Sequence, residues 1–236
     1  MNPSIHLFNR VPGVSVTVLR SVPIFERLSD ETLANLGCDA SIRHFKRGQT
    51  IFHDGDPSRS VYVVLSGRLQ VVGVEDDGRE IIIAQLAQGD MFGEMGLLDH
   101  VRRSATVVAA EPSSAVEVAP QAFLDCMSAN SDVAAYVVRN LVSRLRAANQ
   151  TIKNLALSDV AERTRRVLSE LSVPEGDVRV IPYKISRNEI AKMIGASREM
   201  VSRVMIDLLQ RGLIQETHGR IRIRQSKPPE LRHANA

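Results

Sequence analysis

Hydrophobic and polar positions along the 236-residue chain change texture near residue 120. Before it, short apolar or alternating runs recur at 60–65, 69–74, 80–86, 104–110 and 115–119. Turn-forming clusters break them, among them Lys46-Arg47-Gly48, Asp54-Gly55-Asp56-Pro57, Ser66-Gly67 and Gln88-Gly89-Asp90. Many short strands at this spacing predict an antiparallel sandwich or barrel. After Pro120 the period lengthens. Ala134, Val138, Leu141, Leu145, Ala148, Ile152 and Leu155 recur at alternating steps of four and three. That is an a/d seam on a helix over roughly 131–157, about 40 Å long at 1.5 Å per residue. Such a seam can cover a domain's own sheet or pair with a second copy. Its regularity, with Arg144, Arg146 and Lys153 beside it, favours a homodimer.

The ends of the elements are marked by caps. Ser29, followed by Asp30 and Glu31, suits the start of a short helix. Asp159 suits the start of another over 160–171, which places a hinge near 156–159. Ahead of these, Pro3, Pro12 and Gly13 predict a loose arm over residues 1–21.

Residues 187–206 fit a helix-turn-helix. Ser186-Arg187-Asn188-Glu189 is a capping box. Ile190 and Ile194 face inward, Ala191 is small where two helices approach, and Gly195 can take the positive φ of the turn. Ser197 caps the second helix, and Val201 and Val204 seat it on the first. Arg198, Glu199, Ser202 and Arg203 are left on its outer face. Residues near the start of a recognition helix reach base edges in the major groove. There Arg suits a bidentate bond to guanine, and Glu can accept from cytosine N4. Arg187 and the backbone N–H of Ser197 are candidates for phosphate contacts. The segments 212–214 and 218–224 read as a basic two-stranded wing.

The stretch Phe92-Gly93-Glu94-Met95-Gly96, followed by Arg103-Ser104, carries the other candidate chemistry. Glycines around an acid let backbone N–H groups approach a ligand and open a short helical turn, which suits an anion. Arg103 supplies a fixed charge for a phosphodiester and Ser104 a hydroxyl donor. Glu94 would repel phosphate, so its natural partner is a sugar hydroxyl. A pocket that keeps the shape without a ligand would instead leave Glu94 and Arg103 as an internal ion pair.

Charge adds direction to this picture. Residues 1–138 carry a net −6 and residues 139–224 a net +8, within an overall +3. An acidic part joined to a basic one suggests a sensing module followed by a polyanion-binding one. Three Tyr, six Phe and no Trp offer little for stacking single strands, so duplex DNA is the expected nucleic acid. No apolar run approaches the ~18 residues of a membrane span, and no secretory signal is evident, so the cytoplasm is the expected compartment. Two distant cysteines and six scattered histidines predict neither a disulfide framework nor a metal site. No catalytic constellation is found, and no enzyme activity is expected.

The order Ile194-Gly195-Ala196-Ser197, then Arg198-Glu199 and Arg203, resembles the recognition helix of the cyclic-AMP receptor protein/FNR (Crp/Fnr) family of bacterial transcription regulators. The similarity extends over roughly 22–224, through the hinge segment 154–160 and the turns at Gly48, Gly55-Asp56 and Ser66-Gly67. It implies an α+β protein with a cyclic-nucleotide-binding β-roll over 22–130 and a dimerisation helix over 131–157. A winged helix-turn-helix over 158–225 would follow, between the arm at 1–21 and a disordered tail at 226–236. By resemblance, Gly93 and Glu94 hold the ribose and Arg103 and Ser104 the cyclic phosphate, with Met95 beside them. Arg144 matches the family's arginine on the dimer helix. Ala148 and Asn149 stand where a Thr-Ser pair contacts adenine, and only Asn149 can still read a base edge. Cyclic AMP is the first expectation for the effector, with cyclic GMP and cyclic di-GMP as alternatives. The recognition triplet implies a DNA palindrome with TGTGA-like half-sites, and RNA polymerase is the implied protein partner. The rival reading is a nucleotide-binding module whose basic half docks an acidic protein.

Overall fold

A computed structural model of the chain describes residues 13–74, 78–217 and 220–224. The chain forms two compact units, 1–148 and 149–236. In the first, α1 (Val16–Arg20) and α2 (Asp30–Cys38) precede eight strands. These are β1 (Ala40–Phe45), β2 (Thr50–Phe52), β3 (Val61–Ser66), β4 (Leu69–Val74), β5 (Glu80–Leu86), β6 (Met91–Phe92), β7 (Thr106–Ala109) and β8 (Ser113–Val118). A single helical turn, α3 (Met95–Leu98), interrupts them, and α4 (Pro120–Ala129) and α5 (Ser131–Leu157) follow.

The strands make two four-stranded antiparallel sheets, in the orders β1-β8-β3-β6 and β2-β7-β4-β5. Alternation along β3 shows how the layers stack. Val61 and Val63 join one core with Leu19, Leu33, Phe123, Val133 and Val137 of the flanking helices. Tyr62 and Val64 point the other way, into a second core with Phe45, Leu69, Phe92 and Val107. A strand buried on both faces therefore reads as a continuous apolar run, Val-Tyr-Val-Val, instead of alternating with polar residues.

The expected loose arm is corrected from residue 13 onward. Ser15 caps α1 through the Val18 N–H, and Val14 and Leu19 are fully buried in the helical core. A five-residue helix is too short for periodicity to reveal it. Residues 1–12, and the tail expected at 226–236, lie outside the described residues.

Helix α5 covers the span set by its heptad spacing. Val133 and Val137 pack into the first unit's core, while Val138, Leu145 and Ile152 are about 60% exposed. The two units divide between Ala148 and Asn149, inside the helix, whereas the sequence placed the boundary after residue 157. The reason is local: in the last turns of α5, the Asn154 side chain and the Leu155 carbonyl accept hydrogen bonds from Arg166 and Arg163 of α6 (Val160–Leu171).

In the second unit Asp159 caps α6 by accepting from the Glu162 N–H. Then come β9 (Val173–Glu175), β10 (Val178–Val180), α7 (Arg187–Ile194), α8 (Arg198–Gln210), β11 (Ile214–Thr217) and β12 (Arg220–Arg224). The wing pairs as expected, and β10 adds to β12 to give an antiparallel sheet in the order β11-β12-β10-β9. The extra hairpin had no strong signal, because its strands are three residues long. Leu168, Ile190, Ile194, Val201, Met205, Leu208 and Ile221 form the core of this unit.

Candidate nucleotide pocket and nucleic-acid interface

The Gly93–Ser104 segment forms a pocket between β6, α3 and β7, closed on one side by α5. Phe52, Val71 and Val107 line its apolar part, and Gly93, Glu94, Arg103, Ser104 and Arg144 its polar part. Gly93 has φ 80°, a left-handed conformation suited to glycine. A Cβ built there would lie 2.5 Å from Arg103 Nη1, so the position is also sterically closed to larger residues.

Arg103 is only 4% exposed. Its Nη1 donates to the Gly93 carbonyl at 2.5 Å and its Nη2 to the Ser60 carbonyl at 2.7 Å. The guanidinium carbon lies 4.1 Å from the centroid of the Phe52 ring. Burial pushes its pKa below the ordinary guanidinium value. Its Nε remains buried without a protein partner among the described residues.

Glu94 is completely buried. Its Oε1 accepts from Arg144 Nη1 at 2.9 Å, and Arg144 also donates to the Met91 carbonyl. Burial raises the carboxyl's pKa above its ordinary value, against the opposing pull of Arg144 and Arg103. Oε2 has no partner. An acceptor stripped of water and left unpaired is costly, and a ligand hydroxyl is the natural group to satisfy it. The internal Glu94–Arg103 ion pair does not form: Arg103 bonds to carbonyls, and Arg144 pairs with the acid. Ser104 and Met95 are exposed at the pocket's rim.

Sequence reasoning therefore found the charged residues but not what holds them. Phe52 ends β2, Ser60 immediately precedes β3 and Met91 begins β6, and no spacing links them to Arg103 or Arg144. Asn149 lies further along α5, in the second unit, and is exposed.

In that unit the capping box forms in full: Ser186 Oγ accepts from the Glu189 N–H, and the Glu189 carboxylate from the Ser186 N–H. Gly195 takes φ 62° and ends α7. Ser197 caps α8 by accepting from the Met200 N–H. Val201 and Met205 are wholly buried beneath α8, while Arg198, Glu199 and Arg203 are exposed and Ser202 is half-buried. Glu199's own backbone N–H and the Ser197 hydroxyl hold its carboxyl below the ordinary value, so it is firmly ionised. Arg187, expected beside phosphates, instead donates from both terminal nitrogens to Glu216 of β11, at 3.1 and 2.7 Å.

The cyclic nucleotide-binding domain model matches residues 42–130, and the Crp-like helix-turn-helix domain model residues 162–233. The cAMP-activated global transcriptional regulator CRP of Pasteurella multocida is 32% identical over 195 residues, which span 81% of this chain and 93% of that protein.

The chain belongs to the Crp/Fnr family.

A second Crp/Fnr relative, the CRP-like cAMP-activated global transcriptional regulator of Mycobacterium tuberculosis, is 28% identical over 202 residues, 84% of this chain and 90% of its own. Among solved structures, a CRP-family transcriptional regulator of Thermus thermophilus superposes with a TM-score of 0.65 at 26% identity, over 78% of this chain and 92% of its own. The c-di-GMP responsive global regulator CLP of Xanthomonas campestris gives 0.71 at 24% identity, over 84% and 100%. At that identity the likeness concerns the fold. As a Crp/Fnr protein, the chain is a cyclic-nucleotide-binding, helix-turn-helix DNA-binding regulator of transcription. Among its described residues, no helix is long and apolar enough to cross a membrane, and no cluster of acids, histidines and cysteines is placed to hold a metal.

Proposed function

We propose that the effector is cyclic AMP and that a homodimer carrying it binds a palindrome of TGTGA-like half-sites. One observation carries the ligand reading: a fully buried Glu94 with one unpaired oxygen, beside an arginine and a serine hydroxyl on a glycine cradle. Glu94 Oε2 would accept the ribose 2′-OH. Arg103 and Ser104 would hold the cyclic phosphate, with Arg103 already desolvated and oriented by the two carbonyls. The apolar end at Phe52, Val71 and Val107 would take the base. Names of relatives at 28–32% identity favour cyclic AMP. Cyclic GMP and cyclic di-GMP remain as the alternatives, since Ala148 offers no side-chain hydrogen bond and Asn149 is the base-reading candidate.

Dimerisation through the exposed α5 seam would supply the second recognition helix for a two-fold operator. Arg198 and Arg203 would read guanines and Glu199 a cytosine. The Ser197 N–H and the wing would sit on phosphates. RNA polymerase is the proposed protein partner, the cytoplasm the proposed compartment, and binding without catalysis the proposed activity.

Titration calorimetry with the three cyclic nucleotides tests the effector, and a gel shift on the palindrome with and without nucleotide tests the gating. Tight binding of cyclic AMP alone, with a nucleotide-dependent shift, is expected. Failure of all three to bind would overturn the ligand reading. Nucleotide binding without any duplex binding would favour the acidic-protein docking module.

A further inference from the structure

We infer that Glu216 is a positioning residue for DNA binding: it clasps Arg187 and thereby sets the wing, and it takes Arg187 out of the set of phosphate contacts. The inference rests on the DNA-binding reading above. Arg187 is the first residue of α7, and Glu216 lies in the wing strand β11, 29 residues away. The two side chains meet as a fork on a fork, Nη1 to Oε1 at 3.1 Å and Nη2 to Oε2 at 2.7 Å. Their side chains are 31% and 29% exposed, although Glu216 as a whole residue is exposed. This geometry fixes orientation as well as distance, and it leaves the pair with no net charge to offer a phosphate.

The register of the wing explains what the clasp accomplishes. Glu216 stands opposite Ile221, which is 1% exposed in the core of this unit. Directly opposed residues share a face, and their neighbours along the strand point the other way. Glu216 therefore lies on the Ile221 face of the wing, where it reaches Arg187 at the start of α7, while Arg220 and Arg222, on either side of Ile221, are exposed. Tethering Glu216 to the start of α7 fixes the face that presents these two arginines next to the helix-turn-helix. The tether acts on β11, the edge strand, and adds to the hold that β12 gains from pairing with β10 and that Ile214 and Ile221 gain in the core.

The two roles for Arg187 predict opposite signs. Removing an acid from a DNA-binding surface ordinarily tightens binding and steepens the dependence on salt, because one more cation is available. A clasp predicts the reverse. The test measures binding of the full chain, with saturating cyclic AMP, to a 30-base-pair duplex carrying the TGTGA palindrome, across a series of KCl concentrations. Glu216→Gln, which keeps the side chain's shape, is expected to weaken binding about three- to ten-fold. It should also flatten the slope of log K on log[salt] by up to about 0.9 for each wing arginine lost. The exchange Arg187→Glu with Glu216→Arg rebuilds the pair in reverse and should recover most of the affinity. If Arg187 were itself a phosphate contact, that exchange would be the worst variant.

Tighter or unchanged binding by Glu216→Gln, or no recovery in the exchange, would overturn the clasp. Should the wild-type chain bind no duplex with any of the three cyclic nucleotides, the DNA-binding reading itself fails. The clasp is then judged by thermal unfolding of Arg187→Ala, Glu216→Ala and the double variant, where purely additive losses would overturn it.

Discussion

Arg144, on the long helix, pairs with Glu94 at 2.9 Å and closes the polar side of the pocket, yet it satisfies only one of the two carboxylate oxygens. The pair joins the helix that carries the exposed heptad seam to the residue proposed to meet the ligand's sugar. Arg144 also lines the pocket, so a nucleotide bound as proposed would lie beside α5. Buried pairs of this kind contribute little net stability after desolvation, which fits a role in binding more than in folding.

Glu94→Gln is expected to leave the chain folded and its unliganded melting temperature unchanged or higher, because a costly buried charge is removed. Stabilisation by the nucleotide should disappear. Thermal shift with and without cyclic AMP reads both effects, and retention of a ligand-induced shift would sink the assignment of Glu94.

Stability should depend on pH through Glu94 with a definite sign. Its folded pKa is raised by burial above the ordinary 4.5. The folded state therefore binds the proton more tightly, and this group's contribution is complete below the unfolded pKa and lost as pH rises through the folded one. Arg144→Met removes the main opposing cation and should extend that loss to higher pH. Denaturant unfolding from pH 4 to 8 checks this, and the extra slope should vanish when Glu94→Gln is added.

Arg103, the proposed phosphate contact, also holds structure. Arg103→Ala leaves the Gly93 and Ser60 carbonyls without their donor and uncovers Phe52. A loss of about 1–3 kcal/mol of stability is expected, together with loss of nucleotide binding. Gly93→Ala should act similarly, since its Cβ would displace the Arg103 guanidinium. Urea unfolding alongside calorimetry separates the two effects.

The dimer prediction is best tested at Leu145 and Ile152, which are 61% and 63% exposed. Leu141, on the same seam, packs partly against the first unit's core, so a charge there would confound folding with assembly. Glu at both exposed positions places four like charges along one dimer seam. Sedimentation should then show a folded monomer; a dimer persisting at micromolar concentration would exclude this seam.

Base readout should follow the exposed face of α8. Arg198→Ala, Glu199→Ala and Arg203→Ala are each expected to lose about 1–3 kcal/mol of discrimination at one base pair. Wing variants should weaken all sequences alike. Selection from random duplexes should return a palindrome with half-sites about 34 Å apart; enrichment without a TGTGA-like core would reject the triplet's role.

Much of this protein is legible in its sequence because the signals are local. Helix starts at Ser29, Asp159, Ser186 and Ser197 follow from side-chain oxygens three residues ahead of the N–H groups they accept from. The turn at Gly195 follows from the φ it must adopt. The heptad seam is set by helical repeat alone, and the main strands of the roll by apolar runs between turns. Three polar members of the pocket, Glu94, Arg103 and Ser104, are also visible because they fall within eleven residues.

Tertiary structure decided what each charge is bonded to. Whether Glu94 pairs with Arg103 or Arg144 depends on α5 folding back onto β6, fifty residues away. Whether Arg187 stands free or is held by Glu216 depends on where a short wing packs. Burial settled the rest: Val14 and Leu19 gave order to residues 13–21, where a loose arm was expected, and Asn154 with Leu155 drew the end of α5 into the second unit. Periodicity and capping act over one or two turns of chain, so sequence determines them outright. Pairing of charges and removal of water require surfaces brought together across the fold, and those exist only once it has formed.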